Sequence, residues 1–153
     1  MGIEIERKFL VVGEVPDGES SEICQAYLCA DIERTIRVRI DDQVATLTIK
    51  GKTEGLSRSE YEYEIPLEDA RELMELALGQ PVRKTRTRIP HGNHVWEVDV
   101  FHDANEGLCV AEVELAAEDE VVELPDWVGD EVSGDGRYRN SYLAKHPYSE
   151  WGE

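Results

Sequence analysis

Polar and apolar residues alternate with a period of two through most of this chain, the signature of strands with one dry and one wet face. In Ile3 to Val11, Glu4, Glu6 and Lys8 fall on one face, with Ile3, Ile5 and Phe9 on the other. Further strand-like segments run over about residues 24–30, 34–41 and 43–50, with Asp41-Asp42 as a tight turn between the last two. Arg58 to Ile65 alternates Arg58, Glu60, Glu62 and Glu64 with Tyr61, Tyr63 and Ile65. Val82 to Ile89 places Lys84, Arg86 and Arg88 on one face. After His91-Gly92-Asn93, Val95, Glu97 and Asp99 oppose Trp96, Val98 and Val100; after Asn105-Glu106-Gly107, Glu112 and Glu114 oppose Ala111, Val113 and Leu115.

The period changes to that of a helix over 67–78. Pro66 stands at its start, Gly79 at its end, and Ala70, Leu73, Met74, Leu76 and Ala77 make the apolar stripe. Gly13 to Ser21 reads as a loop, 117–123 as a short acidic helix, and 139–145 as a helix in a looser tail from Trp127. Eight strands with one-sided alternation predict an α+β chain built on an eight-stranded antiparallel β-barrel with flanking helices, since closure removes exposed edges. All of 1–153 is expected to form one domain, with a C-terminal helical tail at about 127–153.

Charge sharpens this picture. Each polar strand face is nearly pure in sign: acidic in the first, fifth, seventh and eighth segments, basic in the third and sixth. Two arrangements fit: the charges face solvent, or they line a water-filled tunnel. Carboxylates about 6–7 Å apart along one strand face can hold a hard divalent cation, while Arg and Lys gather phosphate. A formal net charge of -18 argues against duplex nucleic acid as a partner. No apolar run approaches a membrane span, and the charged N-terminus is unlike a signal peptide, so a cytoplasmic location is expected. Cys24, Cys29 and Cys109 lack the spacing of a disulfide framework or a zinc site.

The pentapeptide Glu4-Ile5-Glu6-Arg7-Lys8 resembles the ExExK signature of the CYTH superfamily, the triphosphate tunnel metalloenzymes. The resemblance continues through Gln25-Ala26-Tyr27-Leu28, Arg37-Val38-Arg39, Thr48-Ile49-Lys50 and Arg58 to Glu62. It extends to Lys84-Thr85-Arg86, Trp96 to Phe101, Ala111 to Glu114 and Arg137-Tyr138-Arg139-Asn140. It implies an eight-stranded tunnel whose lumen binds a triphosphate with Mg2+ or Mn2+. By position, Glu4, Glu6 and Glu114 resemble ligands of the metal that orients the triphosphate. Glu112, with Glu97 or Asp99, resembles the holder of a second metal near the attacking water. Lys8, Arg37, Arg39, Lys50, Lys84, Arg86 and Arg137 are similar to the phosphate-gripping set. Glu60 and Glu62, with Lys84, take the catalytic assignment.

The expected function is a metal-dependent inorganic triphosphatase that cleaves tripolyphosphate to pyrophosphate and phosphate. The chain is short and carries no nucleobase-specific motif. The alternatives are a class IV adenylyl cyclase or a thiamine or nucleoside triphosphatase on the same groups, and a non-catalytic polyphosphate-binding module.

Overall fold

The computed structural model describes residues 2–151. Its strands are β1 (Ile3–Val11), β2 (Glu19–Ala30), β3 (Arg34–Asp41), β4 (Val44–Gly51), β5 (Ser57–Ile65), β6 (Leu78–His91), β7 (His94–Phe101), β8 (Cys109–Glu114) and β9 (Val128–Glu131). Helix α1 spans Leu67–Leu73 and α2 spans Asn140–Lys145. The sheet order is β5-β4-β3-β2-β6-β7-β8-β1-β9, and an additional β5–β1 pairing closes eight strands into a barrel. Closure falls to β1, which divides its length between neighbours. Ile3 to Ile5 pair with β5, Glu6 to Leu10 pair with β8, and Phe9 and Val11 also meet β9. Every ring pairing is antiparallel.

The apolar strand faces pack outward, beneath the helices and loops. Phe9, Trp96, Val98, Val113 and Trp127 form one buried cluster, in which Trp96 lies 5.6 Å from Phe9 and 5.8 Å from Trp127, ring centre to ring centre. Tyr27, Val82, Phe101 and Val110 form a second with Leu143 and Ala144 of α2. A third, smaller cluster gathers Val38 and Ala45 beneath Ala70 of α1. The polar faces are thus turned into the barrel, which decides between the two arrangements the alternation allowed.

Several boundaries differ from the sequence expectation. The helix expected over 67–78 stops at Leu73, continues as a 3-10 turn to Leu76, and gives way to β6 at Leu78. Leu76, expected in the apolar stripe, is exposed. Pairing of Leu78 with Tyr27 draws this segment into the sheet, so tertiary contact overrides helix propensity. Three residues, Gly79 to Pro81, then bulge opposite Ala26, which accommodates a proline inside a strand. Gly79 does not end a helix. It lies in β6 at φ +67, and a Cβ there would meet the Ala144 carbonyl oxygen at 2.2 Å, so the glycine lets α2 approach the barrel. Strand β2 starts at Glu19, within the expected loop, because Glu19 to Ile23 find partners on β6. No acidic helix forms over 117–123; Glu118, Glu120 and Glu123 instead contact Ser57, His94 and His91. Strand β9 was not expected. No helix among the described residues is long and apolar enough to cross a membrane.

Candidate active site

Antiparallel register sets the cavity wall. The period-two faces of eight strands converge on a cavity of about 260 Å³. In ring order, Glu97 of β7, Glu112 and Glu114 of β8, Glu4 and Glu6 of β1, and Glu60 and Glu62 of β5 make one continuous arc. Lys50 of β4, Arg37 and Arg39 of β3, Tyr27 of β2, and Lys84 and Arg86 of β6 make the other. Lys8 and Arg58 are the cations set into the acidic half.

Ion pairs span the two arcs. Lys50 Nζ lies 3.0 Å from Glu4 and 3.6 Å from Glu60, and Arg58 Nε donates to Glu4 at 3.4 Å. Lys8 Nζ pairs with Glu112 at 3.1 Å and donates to the Tyr138 carbonyl at 2.9 Å. Arg37 donates to Thr48 Oγ1 at 3.2 Å, and Thr48 donates in turn to Glu62 at 3.0 Å. The Arg37 Nε is buried with no partner among the described residues. Arg86 holds Asp99 through two bonds of 2.8 and 2.9 Å and reaches Glu112 and Glu97 at 3.5 and 3.2 Å.

Protonation follows from these contacts. Burial, reinforced by Glu112 and Glu4, raises the Glu6 carboxyl to about 8. Glu114 stands directly opposite Glu6 and is also raised, by burial and by Glu97, Glu4 and Glu60. Burial works against the charge of Glu112, yet Lys8, Arg86 and Lys84 hold it well below the usual carboxylate range. Burial, with Arg86 and Arg39 near, brings Lys84 down to about 7 although Asp99 lies 2.8 Å away. Arg39 falls to about 10 for the same reason, with Arg37 and Arg86 as its cationic neighbours.

Both the sequence and the fold of this chain have known counterparts. Residues 2–141 match the CYTH domain. The chain belongs to the CYTH family. An inorganic triphosphatase of Acetivibrio thermocellus is 44% identical over the full length of both chains. One of Nitrosomonas europaea is 38% identical over 92% of this chain and 96% of its own. The crystal structure of an inorganic triphosphatase superposes with a TM-score of 0.67 at 34% identity, covering 92% of this chain and 93% of that one.

Within this CYTH barrel, most of the expected site residues gather at the cavity: Glu4, Glu6, Lys8, Arg37, Arg39, Lys50, Glu60, Glu62, Lys84, Arg86, Glu97, Glu112 and Glu114. Two do not. Asp99, expected as a metal ligand, is fully buried behind the wall, and Lys84 and Arg86 occupy its oxygens. Arg137, expected to grip phosphate, points away. It pairs with Asp135 at 2.7 Å and lies over the rings of Tyr138 and Trp151. Arg139 lines the cavity instead. Arg58 and Asn140 also reach this wall without having been chosen. Arg58 shares the alternation of Glu60 and Glu62, so a signal for it existed; Arg139 and Asn140 follow a turn, where no period assigns a face. Among the described residues, no cluster of three or more His, Cys, Asp or Glu side chains is drawn together tightly enough to hold a metal ion as they stand.

Proposed function

We propose that this CYTH protein is a metal-dependent inorganic triphosphatase: water attacks a terminal phosphorus of tripolyphosphate, the bridging P–O bond breaks, and pyrophosphate and phosphate leave with one proton released. The division of the lumen into a cationic and an anionic arc carries this reading. A bare polyanion-binding pocket needs only the first, whereas the second suits hard cations that travel with a triphosphate.

The donor set fits such a cation. Glu6 and Glu114 are carboxyl groups placed directly opposite each other, so that ionising both is costly, and a divalent ion between oxygen donors would offset that cost. Glu4, Glu6 and Glu114 would hold the metal, Mg2+ or Mn2+, with Glu112 and Glu97 disposed toward a second. A bound divalent cation would neutralise charge on the phosphate oxygens and polarise the attacking water. The chain's own groups do the rest. Arg37 and Arg39 offer guanidinium donors to phosphate oxygens, Arg86, its fork held by Asp99, adds positive charge to the wall, and Lys8, Lys50 and Lys84 supply point charges. Glu60 and Glu62 orient Lys50 and Arg37 from the open side. Holding the phosphorus, the water and the leaving oxygen in line accounts for most of the catalysis in phosphoryl transfer.

The test is turnover of tripolyphosphate, ATP, thiamine triphosphate and pyrophosphate with Mg2+, with Mn2+ and with EDTA. Phosphate should be released from tripolyphosphate and cease with EDTA. Cyclic AMP formed from ATP would establish the cyclase reading instead, and binding without turnover in either metal would establish the non-catalytic module.

A further inference from the structure

Two buried amides tie the cationic arc to the C-terminal helix. Asn140, the first residue of α2, is buried, and its Oδ1 accepts from Lys84 Nζ at 2.9 Å and from Gln25 Nε2 at 2.7 Å. The Oε1 of Gln25, itself fully buried, accepts from Arg39 Nε at 2.8 Å. Arg39, a guanidinium that can only donate, fixes the Gln25 amide, and the Gln25 NH2 in turn fixes the Asn140 oxygen. Turning Gln25 over would set its NH2 against the Arg39 guanidinium, and turning Asn140 over would set its NH2 against that of Gln25. The polarity of the whole run, from Lys84 through Asn140 and Gln25 to Arg39, is therefore determined from the Arg39 end, and leaves the Asn140 oxygen to accept from Lys84. It crosses β6, α2, β2 and β3.

Without Asn140, Lys84 has a strong competing partner. Asp99 lies 2.8 Å from its Nζ, deeper in the wall than the cavity. Arg39 would keep only a Gln25 amide freed of its other contact. We propose that Asn140 is a positioning residue for the reaction: its side-chain oxygen holds Lys84 at the cavity face and, through Gln25, holds Arg39, so docking of the tail completes the phosphate-binding wall. This rests on the triphosphatase reading for its kinetic test and on the geometry alone for its binding test.

Asn140→Leu keeps the branched side-chain shape and removes the acceptor, whereas Asn140→Asp restores an oxygen at the same place. Leucine should lower kcat/KM for tripolyphosphate by about tenfold to a hundredfold, a range typical of misplaced groups around a reacting centre. Aspartate should retain activity within about threefold, as a kept hydrogen-bond acceptor would require. A residue that merely filled space would give the opposite order. On a Lys84→Met background the leucine penalty should shrink, because residues acting through one another are not additive. Equal activity of Asn140→Leu and the parent, an aspartate variant as poor as leucine, or a fully additive double variant would each overturn the proposal. If Asn140→Leu does not fold, Gln25→Met breaks the same run from the other side and should lower activity; unchanged activity would count against the idea. Metal-free calorimetric binding of tripolyphosphate separates the two readings. Weaker binding by Asn140→Leu supports the positioning role even if the parent fails to turn the substrate over, and unchanged binding in that event refutes it.

Discussion

Glu6 concentrates the chemistry of this site in one titration. Its carboxyl, ordinarily near 4.5, is raised to about 8 by burial and by Glu112 and Glu4. In the metal-free protein it is therefore largely protonated at neutral pH, and a cation can use it only after the proton leaves. Metal affinity should rise as pH climbs toward 8, by up to about tenfold per pH unit for one proton displaced. Calorimetry in two buffers of different ionisation enthalpy should show net proton release near pH 7, and Glu6→Gln should reduce it. Stability carries the opposite sign. A raised folded value means that the contribution is complete below 4.5 and is lost as pH rises through about 8. Thermal melts of the metal-free protein should fall across that window, and more steeply than those of Glu6→Gln. Equal slopes would show that Glu6 titrates elsewhere.

Among the elements, the tail was the hardest to place from its residues. Strand β9 is four residues long, and it meets β1 across a register shift between Phe9 and Val11. Arg7 pairs with Glu131 at 2.9 Å, and Trp127 just before the strand is buried against Trp96. An aromatic that large carries most of such a short element's attachment. Trp127→Ala should cost about 3–5 kcal/mol, read from urea midpoints, by leaving a cavity beside Trp96. A loss under about 0.5 kcal/mol, the usual range for an exposed site, would mean that Trp127 only covers the surface. The main strands were legible because alternation marks them wherever one face is dry, as in Arg34 to Asp41. The polar run Glu19-Ser20-Ser21-Glu22 has no such contrast, and only its partner on β6 makes it a strand.

For the molecule as a whole, charge is partitioned between lumen and shell. Eight of the chain's 16 Lys and Arg line the cavity, against eight of its 34 Asp and Glu, so the lumen is near balance and the outer surface strongly acidic. A polyanion approaching from solvent meets repulsion first. The association rate for tripolyphosphate should rise as salt is added up to about 0.1 M, where screening extends over about 10 Å. Stopped-flow measurement would check this, and a steep fall with salt would mean that the cationic arc projects its field beyond the mouth. The seam between β1 and β5, three residue pairs long, should also exchange its amides before the longer β2–β6 pairing does.

The residues alone determined the strand faces, the count of eight ring strands and the acidic or basic character of six of them, because a period of two and the sign of a side chain are local properties. They did not determine which face turned inward, since alternation is symmetric until closure chooses a side. Nor did they separate Asp99 from Glu97 and Glu112, or Arg137 from Arg139 and Asn140. Neighbouring residues of the same type differ there only in what the packed barrel places beside them: Lys84 and Arg86 take Asp99, Asp135 takes Arg137, and the close approach of α2 at Gly79 brings Asn140 to the wall.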